Sequence, residues 1–322
     1  MSKVGMDSLE LLRENDCDVV MAPKMGPLPA AELQEAIPGF DAVLASVDQF
    51  TGAVLKSPAA SNLKLISRWG VGYDSIDVPT ATEQGIVVAY VPGLLNNAVA
   101  DYAFSLLCAV ARRVHEGHLL MTKGVWKPTW GHDIFGKTLG IIGCGRIGQA
   151  VAKRARGFDM TVLGFDPAPS PEADKAGIKF VSMDALLRES DFVSLHVALT
   201  SETKGLIDES RLGLMKATAY LINTSRGPVV DERALAQALA QGGIAGAALD
   251  VFAKEPLAAD HVFHQTPNLL LSPHQSSWAH ETGAAVSRAA ADAIVAMVQG
   301  QKPKWVVDPA VFSSKNLRAK AA

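Results

Sequence analysis

Apolar positions along the chain follow two patterns: short unbroken runs, and longer stretches in which they recur every third or fourth residue. The first pattern marks strands buried on both faces and the second amphipathic helices, so their alternation predicts βαβ units around parallel sheets. From Leu139 onward the runs are Leu139 to Ile142, Thr161 to Phe165, Lys179 to Ser182, Phe192 to His196, Tyr220 to Asn223, Ala247 to Val251 and Leu269 to Ser272. Helical spacing separates them, which predicts an α/β domain with one doubly wound parallel sheet.

The first part of the chain reads as a smaller α/β unit. Ser8 to Asn15 and Ala30 to Ile37 have helical spacing, while Cys17 to Met21, Ala42 to Ala45, Leu63 to Ser67 and Ile86 to Tyr90 are strand-like. Pro92 and Gly93 mark a boundary. Beyond it Val99, Ala103, Leu106 and Val110 recur on one face of a long helix that Asn96 or Asn97 can cap. Glu281 to Val298 is a last apolar-periodic helix, expected to return to the first domain. The expected division is therefore 1–95 with 283–322, against 96–282.

Chemistry enters with the turn after the strand Leu139 to Ile142. Gly143, Gly145 and Gly148 lie between that strand and a helix beginning near Arg146, and Asp166 closes the next strand. For a dinucleotide each has a task. Gly143 permits the tight turn, Gly145 lets the backbone approach a pyrophosphate, and Gly148 lets the helix pack on the sheet. The pyrophosphate would lie over the helix N-terminus, and Asp166 would accept from the adenosine ribose hydroxyls. A carboxylate there disfavours a 2′-phosphate, so the expected cofactor is NAD rather than NADP. Cys144 reads as a small buried residue.

Composition narrows the classes. The 322 residues are 48% hydrophobic and 20% charged, with a formal net charge of −3, which suits two globular domains and gives no electrostatic case for nucleic acid or an anionic membrane. Three cysteines without metal-ligand spacing argue against a disulfide framework or a metal site and point to a reducing cytoplasm. The opening MSKVGMDSLELLREN lacks the apolar core of a signal peptide, and no apolar run of spanning length follows, so a soluble intracellular protein is expected.

Ligands of open parallel sheets bind outside the carboxyl ends of the strands. Three residues there have chemistry that packing does not need: Arg226 in LINTSRG, Glu255 in LDVFAKEP and His274 in LLLSPH. A guanidinium can hold a carboxylate through two bonds. An imidazole exchanges a proton near neutral pH, and a glutamate beside it fixes its tautomer. Beside a nicotinamide, the three suit hydride transfer at a carbon bearing a hydroxyl next to a carboxylate. Singly, each also reads as a solvated charge or a loop residue. His196 either lines the cofactor cleft or is structural, and Asp250 either accepts from the nicotinamide amide or caps a helix. Gly70 and Gly72 in RWGVGYDSID make a tight turn or a nest of N–H groups suited to a carboxylate. His115, His118, His132, His261, His264 and His280 have no charged partner evident in the sequence. The aromatic segment Trp126 to Trp130 suits packing against a partner subunit or domain.

With RWGVGYDSID, NNAVADYAFSLLCAVARR, GKTLGIIGCGRIGQAVAKRARGFDMTVLGFDP, SLHVALT, LINTSRGPVVDERAL, GAALDVFAKEPL and LSPHQSSW, nearly the whole chain resembles the D-isomer-specific 2-hydroxyacid dehydrogenases. The resemblance implies a Rossmann NAD-binding domain and a flavodoxin-like substrate domain. It also implies that Arg226 binds the substrate carboxylate and carbonyl, that Glu255 assists His274 as acid and base, and that backbone amides of Val71 and Gly72 grip the carboxylate. Arg146, Ile147, Asp166, Thr200, Thr224 and Asp250 would contact the cofactor, and the protein would be a homodimer built through the nucleotide domains. Met1 leads almost directly into a helix where the family opens with an apolar strand. Trp278 replaces small residues expected beside the substrate, and Ala45 stands where phosphate-binding relatives often carry arginine, which argues against a phosphorylated substrate. The expected activity is hydride transfer between NAD(H) and C2 of a small 2-keto or D-2-hydroxy acid. Alternatives are an NAD(H)-sensing corepressor-like protein and an NADP-preferring hydroxypyruvate or glyoxylate reductase.

Overall fold

The structure is a computed structural model that describes residues 5–22, 24 and 26–319. It divides into two compact units, Met1–Leu95 with Trp278–Ala322, and Asn96–Ser277. The second boundary falls before the expected 282/283 because the returning helix, His280–Val298, already buries Gly283 and Val286 in its first turns.

In the first unit the order is α1 (Met6–Glu14), α2 (Ala30–Ala36), β1 (Ala42–Ala45), α3 (Gly52–Leu55), β2 (Leu65–Arg68), α4 (Val78–Glu83) and β3 (Val87–Ala89). The three strands form a parallel sheet in the order β1-β2-β3, with Ala45 opposite Arg68 and Ser67 opposite Ala89. Helix His280–Val298 packs on α1 and β2, and Ser67 Oγ donates to its Ala290 carbonyl at 2.8 Å. Leu12, Leu65, Val87, Ala291 and Ile294 make the core between them.

Cys17 to Met21, expected as a strand, is not one. The chain leaves α1 through Asp16 at φ 58°, and only Cys17 and Val19 pack, against the Leu12–Ala291–Ile294 cluster. Val20 and Met21 are 61% and 51% exposed. The segment has a half-buried face but no ladder partner among the described residues, and a strand needs both.

The second unit opens with α5 (Asn96–Ala111) and α6 (Val114–Thr122). Then come β4 (Thr138–Ile142), α7 (Arg146–Ala155), β5 (Thr161–Phe165), α8 (Pro171–Lys175), β6 (Lys179–Phe180), α9 (Met183–Glu189), β7 (Phe192–Leu195), α10 (Glu209–Leu212), β8 (Tyr220–Asn223), α11 (Glu232–Ala240), β9 (Gly246–Leu249) and β10 (Leu269–Leu271). All seven strands are parallel, in the order β10-β9-β8-β7-β4-β5-β6. The chain reverses direction across the sheet between β4 and β7, and the crevice at such a switch point is where doubly wound sheets bind ligands. Separate apolar clusters cover the two faces, one around Leu107, Ile141 and Phe192 and the other around Leu195, Leu221 and Phe263. That is why these strands read as unbroken apolar runs.

Asp191 fixes the other end of the switch. Its carboxylate accepts from Thr138 N at 2.9 Å and from Lys216 Nζ at 2.8 Å. Burial would raise this carboxyl, but the Lys216 and Thr138 hydrogen bonds and the charges of Lys216 and Lys137 outweigh it and hold the group below the usual carboxylate range.

Candidate active site

The glycine turn follows β4 at the switch point. Gly143 has φ 92°, and a Cβ there would lie 2.5 Å from the His196 carbonyl oxygen; one at Gly148 would lie 2.2 Å from the Gly143 carbonyl oxygen. At Gly145 a Cβ would meet nothing within 4 Å. The first and third glycines are thus required by packing, while the middle one opens onto free space. α7 starts there with Gly145 as its N-cap and no side-chain cap. The N–H groups of Arg146, Ile147 and Gly148 belong to a first turn that has no carbonyl of its own to donate to.

Around this turn lie the other cofactor candidates. Asp166, just past β5, accepts from Cys144 N at 2.8 Å and Ala168 N at 2.9 Å, one on each oxygen. Each oxygen keeps a lone pair for a further donor. Thr224 Oγ1, past β8, is buried with no hydrogen-bond partner among the described residues. Burial pushes the His196 imidazole down to about 4, so the ring is neutral at physiological pH, with Nε2 2.8 Å from Ser194 Oγ. Thr200 N donates to Thr203 Oγ1 at 2.8 Å, which shapes the loop after β7. Burial and the Asp166 charge push the Cys144 thiol up to about 12, leaving it unreactive. An open cradle at Gly145, an uncapped helix N-terminus and an orphaned hydroxyl at Thr224 fit a dinucleotide.

The carboxyl ends of β8, β9 and β10 lie side by side, with Asn223 opposite Leu249 and Leu249 opposite Leu271. Past β9, Asp250 is fully buried. Its carboxylate accepts from Ser272 Oγ at 2.6 Å and from Gln275 N and Ser276 N at 2.9 Å, while its carbonyl accepts from His274 N at 2.8 Å. The turn bearing His274 is wrapped around this one residue. That hold maintains His274 at φ 50°, a conformation uncommon for a residue with a side chain and found where the surroundings over-determine it. The expected nicotinamide contact of Asp250 has only a remaining lone pair of this occupied carboxylate available to it.

His274 Nδ1 lies 2.6 Å from Glu255 Oε2, and Glu255 Oε1 accepts from Phe252 N at 2.9 Å. A carboxylate opposite Nδ1 requires the proton there, which leaves Nε2 as the nitrogen that can exchange one. Arg226 comes off the neighbouring turn in extended backbone, with Nη1 donating to Ser225 O at 2.8 Å, and Asn223 Nδ2 donates to the Arg226 carbonyl at 2.9 Å. The next residue, Gly227, presses its backbone on Phe252 and Ala253, where a Cβ would lie 1.8 Å from the Phe252 carbonyl carbon. The turn carrying Arg226 is thereby seated on the loop carrying Glu255.

Val71, Gly72 and Trp278 belong to the first unit. Gly70 has φ 134° and its carbonyl accepts from Val91 N at 2.9 Å. In a trans peptide the N–H points opposite to the carbonyl, so the Val71 N–H is directed away from that bond. Arg68, buried at the end of β2, donates Nε to the Gly72 carbonyl at 2.7 Å and Nη1 to the Trp69 carbonyl. Both carbonyls face the Arg68 guanidinium, and Gly70 N in turn donates to the Arg68 carbonyl at 2.9 Å. Trp278 is largely exposed.

Sequence reading missed the role of Asp250 and the partners of three histidines. Asp250 organises the His274 turn, for which the only sequence signal is an acid ending one strand and a Ser- and Gln-rich turn ending the next. His261, assigned no charged partner, lies 3.4 Å from Glu232. His115 is 3.9 Å from Glu116, and His132 Nδ1 meets Tyr220 Oη at 2.7 Å.

Comparison with known proteins gives a consistent picture. Residues 104–276 match the family model described as the NAD binding domain of D-isomer specific 2-hydroxyacid dehydrogenases. The chain is 42% identical over 319 residues to a glyoxylate reductase of Thermofilum pendens, covering 96% of this chain and 93% of that one. Among solved structures, the TT0316 protein from Thermus thermophilus superposes with a TM-score of 0.85 at 39% identity, covering 95% and 98% of the two chains. A D-lactate dehydrogenase from Aquifex aeolicus, complexed with NAD and lactic acid, gives 0.79 at 29% identity over 92% and 93%.

Proposed function

Because the chain belongs to the D-isomer specific 2-hydroxyacid dehydrogenase family and is an oxidoreductase for NAD(P)-linked hydride transfer on 2-keto and 2-hydroxy acids, we propose that Arg226, Glu255 and His274 form its catalytic set. We infer a small, unphosphorylated 2-keto acid of glyoxylate size as substrate. The glyoxylate reductase relatives and the buried Ala45 at the end of β1 support this choice.

The residues proposed to hold NAD are Gly143, Gly145, Arg146, Ile147, Gly148 and Asp166 around the glycine turn, with His196, Thr200, Thr224, Asp250 and His274 along the ends of β7 to β10. The bound cofactor supplies or takes up the hydride. In the reducing direction His274 gives the Nε2 proton to the carbonyl oxygen of the substrate as C2 becomes a hydroxyl-bearing carbon, and in the oxidising direction it takes that proton back. Glu255 stabilises the protonated ring and holds its tautomer through the 2.6 Å bond. Arg226 binds the carboxylate and polarises the carbonyl.

The observation that carries this reading is the short His274–Glu255 pair on the carboxyl edge of the sheet that also presents the open glycine turn. Glyoxylate, hydroxypyruvate and pyruvate, each with NADH and NADPH, form the test panel. The reading expects oxidation of the reduced cofactor with at least one acid and preference for NADH. Tight NADH binding with no turnover across the panel defeats it and identifies a sensor.

We further propose a homodimer through the second unit. α6 buries none of its residues, and beyond it Trp126, Trp130 and Phe135 are 85%, 94% and 70% exposed, an apolar surface of the kind that marks an interface. The free thiols of Cys17, Cys108 and Cys144 support a reducing, cytoplasmic setting; no helix among the described residues is long and apolar enough to cross a membrane.

A further inference from the structure

The loop that carries Glu255 is held from two sides by two glutamates. Phe252 N donates to Glu255 Oε1 at 2.9 Å, and the next amide, Ala253 N, donates to Glu232 Oε1 at 2.8 Å. The second oxygen of each carboxylate faces a histidine: Glu255 Oε2 lies 2.6 Å from His274 Nδ1, and Glu232 Oε2 lies 3.4 Å from His261 Nε2. Two Glu–His pairs therefore flank one short stretch of backbone, and only one of them belongs to the catalytic set.

The outer pair is anchored at both ends. Glu232 opens α11, whose first-turn amides at Arg233 and Ala234 are capped by Asp231. An acidic side chain in that first turn is favoured by the helix dipole, so Glu232 stands on a fixed base. At the other end His261 Nδ1 accepts from Phe263 N at 3.3 Å, which requires the ring proton to be on Nε2, facing Glu232. The same ring packs edge-on against Phe263 at 4.8 Å, and Phe263 is buried in the core against Phe252 at 6.4 Å between ring centres. Glu232 thus couples the loop to α11 on one side and to the core-anchored turn of His261 to Phe263 on the other.

Resting on the catalytic assignment above, we propose that Glu232, backed by His261, is a positioning residue that fixes the height of the 252–255 loop and so the register of Glu255 against His274. Gly227 bears on the same two residues of the loop from the Arg226 side. Without the Glu232 bond what remains on the loop among the described residues is its catalytic glutamate and packing, and Glu255 loses a fixed base from which to orient the imidazole. Arg226 keeps the bonds of its own turn to Ser225 and Asn223, and the glycine turn lies at the start of α7, so the loss falls chiefly on turnover.

The test is a double-mutant cycle on the full chain, with Glu232→Ala and Glu255→Gln singly and together, read by steady-state kinetics with a 2-keto acid and by NADH titration. Glu232→Ala is expected to lower kcat about tenfold, because a sub-ångström to ångström misplacement of a reacting group costs one to two orders of magnitude. KM for the keto acid and the NADH Kd should stay within about twofold. In the Glu255→Gln background the same change should cost less than about twofold, since a residue that acts through Glu255 has nothing left to position. Glu232→Gln, which keeps a carbonyl oxygen for Ala253 N, should recover most of kcat, and His261→Asn, which keeps an acceptor for Phe263 N but loses the proton facing Glu232, should lose less than Glu232→Ala. These two variants also serve if the alanine variant folds poorly. Equal penalties for Glu232→Ala in both backgrounds, or none in either, overturn the positioning role and leave the catalytic assignment standing. Full turnover by Glu255→Gln overturns both.

Discussion

Gly227→Ala separates the seating of two loops from the chemistry they carry. A Cβ at 227 would lie 1.8 Å from the Phe252 carbonyl carbon, 2.1 Å from its oxygen and 2.3 Å from Ala253 N, where ordinary contact begins near 3.4 Å. All three atoms are backbone, so no side chain can swing aside, and the turn bearing Arg226 must part from the loop bearing Glu255 by more than about 1 Å. Forcing extra volume into a packed site costs about 1–3 kcal/mol of stability. Misplacement of about 1 Å costs catalysis on the order of a hundredfold. Gly145→Ala is the contrast for cofactor binding, because a Cβ there enters the open cradle. The assay compares kcat/KM for a 2-keto acid with the NADH Kd measured by fluorescence. Gly227→Ala should lower kcat/KM about a hundredfold with NADH binding within about threefold, whereas Gly145→Ala should weaken NADH binding without a loss of thermal midpoint. If Gly227→Ala retains kcat/KM within threefold, the two loops are not held in register as argued.

Three further outcomes follow from the same site. Thr224→Val removes a buried hydroxyl that has no partner among the described residues; its thermal midpoint without cofactor should not fall, because an orphaned polar group costs about 1–3 kcal/mol, while NADH binding should weaken about tenfold. Asp166→Asn removes the negative charge proposed to face the ribose, so the NADH-to-NADPH ratio of kcat/KM should drop at least about tenfold, since unit charges about 4 Å apart interact by roughly 1–4 kcal/mol at effective dielectric constants between water and a protein surface. The His196 imidazole, held down to about 4 by burial against 6.5 when free, resists protonation in the folded state. The unfolded chain alone binds this proton as pH falls from about 6.5 to about 4, so folding stability should decline across that window by on the order of 3 kcal/mol, and denaturant titrations of His196→Gln should show a correspondingly shallower acid limb.

The βαβ frame was legible because strands covered on both faces must be mostly apolar, and β4, β5, β7 and β8 are, with one polar residue each besides glycine or tyrosine. The glycine turn was legible because Gly143 and Gly148 answer local steric demands and Gly145 leaves the space between them open. Cys17 to Met21 misled because apolar periodicity reports a packed face and says nothing of a ladder partner. The anchoring of the proposed acid–base pair was hidden for a different reason. Asp250 meets Ser272, Gln275 and Ser276, and Glu232 meets Ala253 and His261, contacts that no periodicity links and that only the adjacency of the ends of β8, β9 and β10 creates. A carboxylate after a strand looks the same in sequence whether it caps, coordinates or props.

The most direct measurement is turnover of His274→Asn with a 2-keto acid and saturating NADH, alongside its NADH Kd. A positioned acid–base group contributes about 10²- to 10⁴-fold, so kcat should fall by that factor, well beyond any change in the NADH Kd from loss of the imidazole's own contact with the cofactor. A kcat within tenfold of the unaltered protein, at an unshifted pH optimum, would mean that the proton is handled elsewhere.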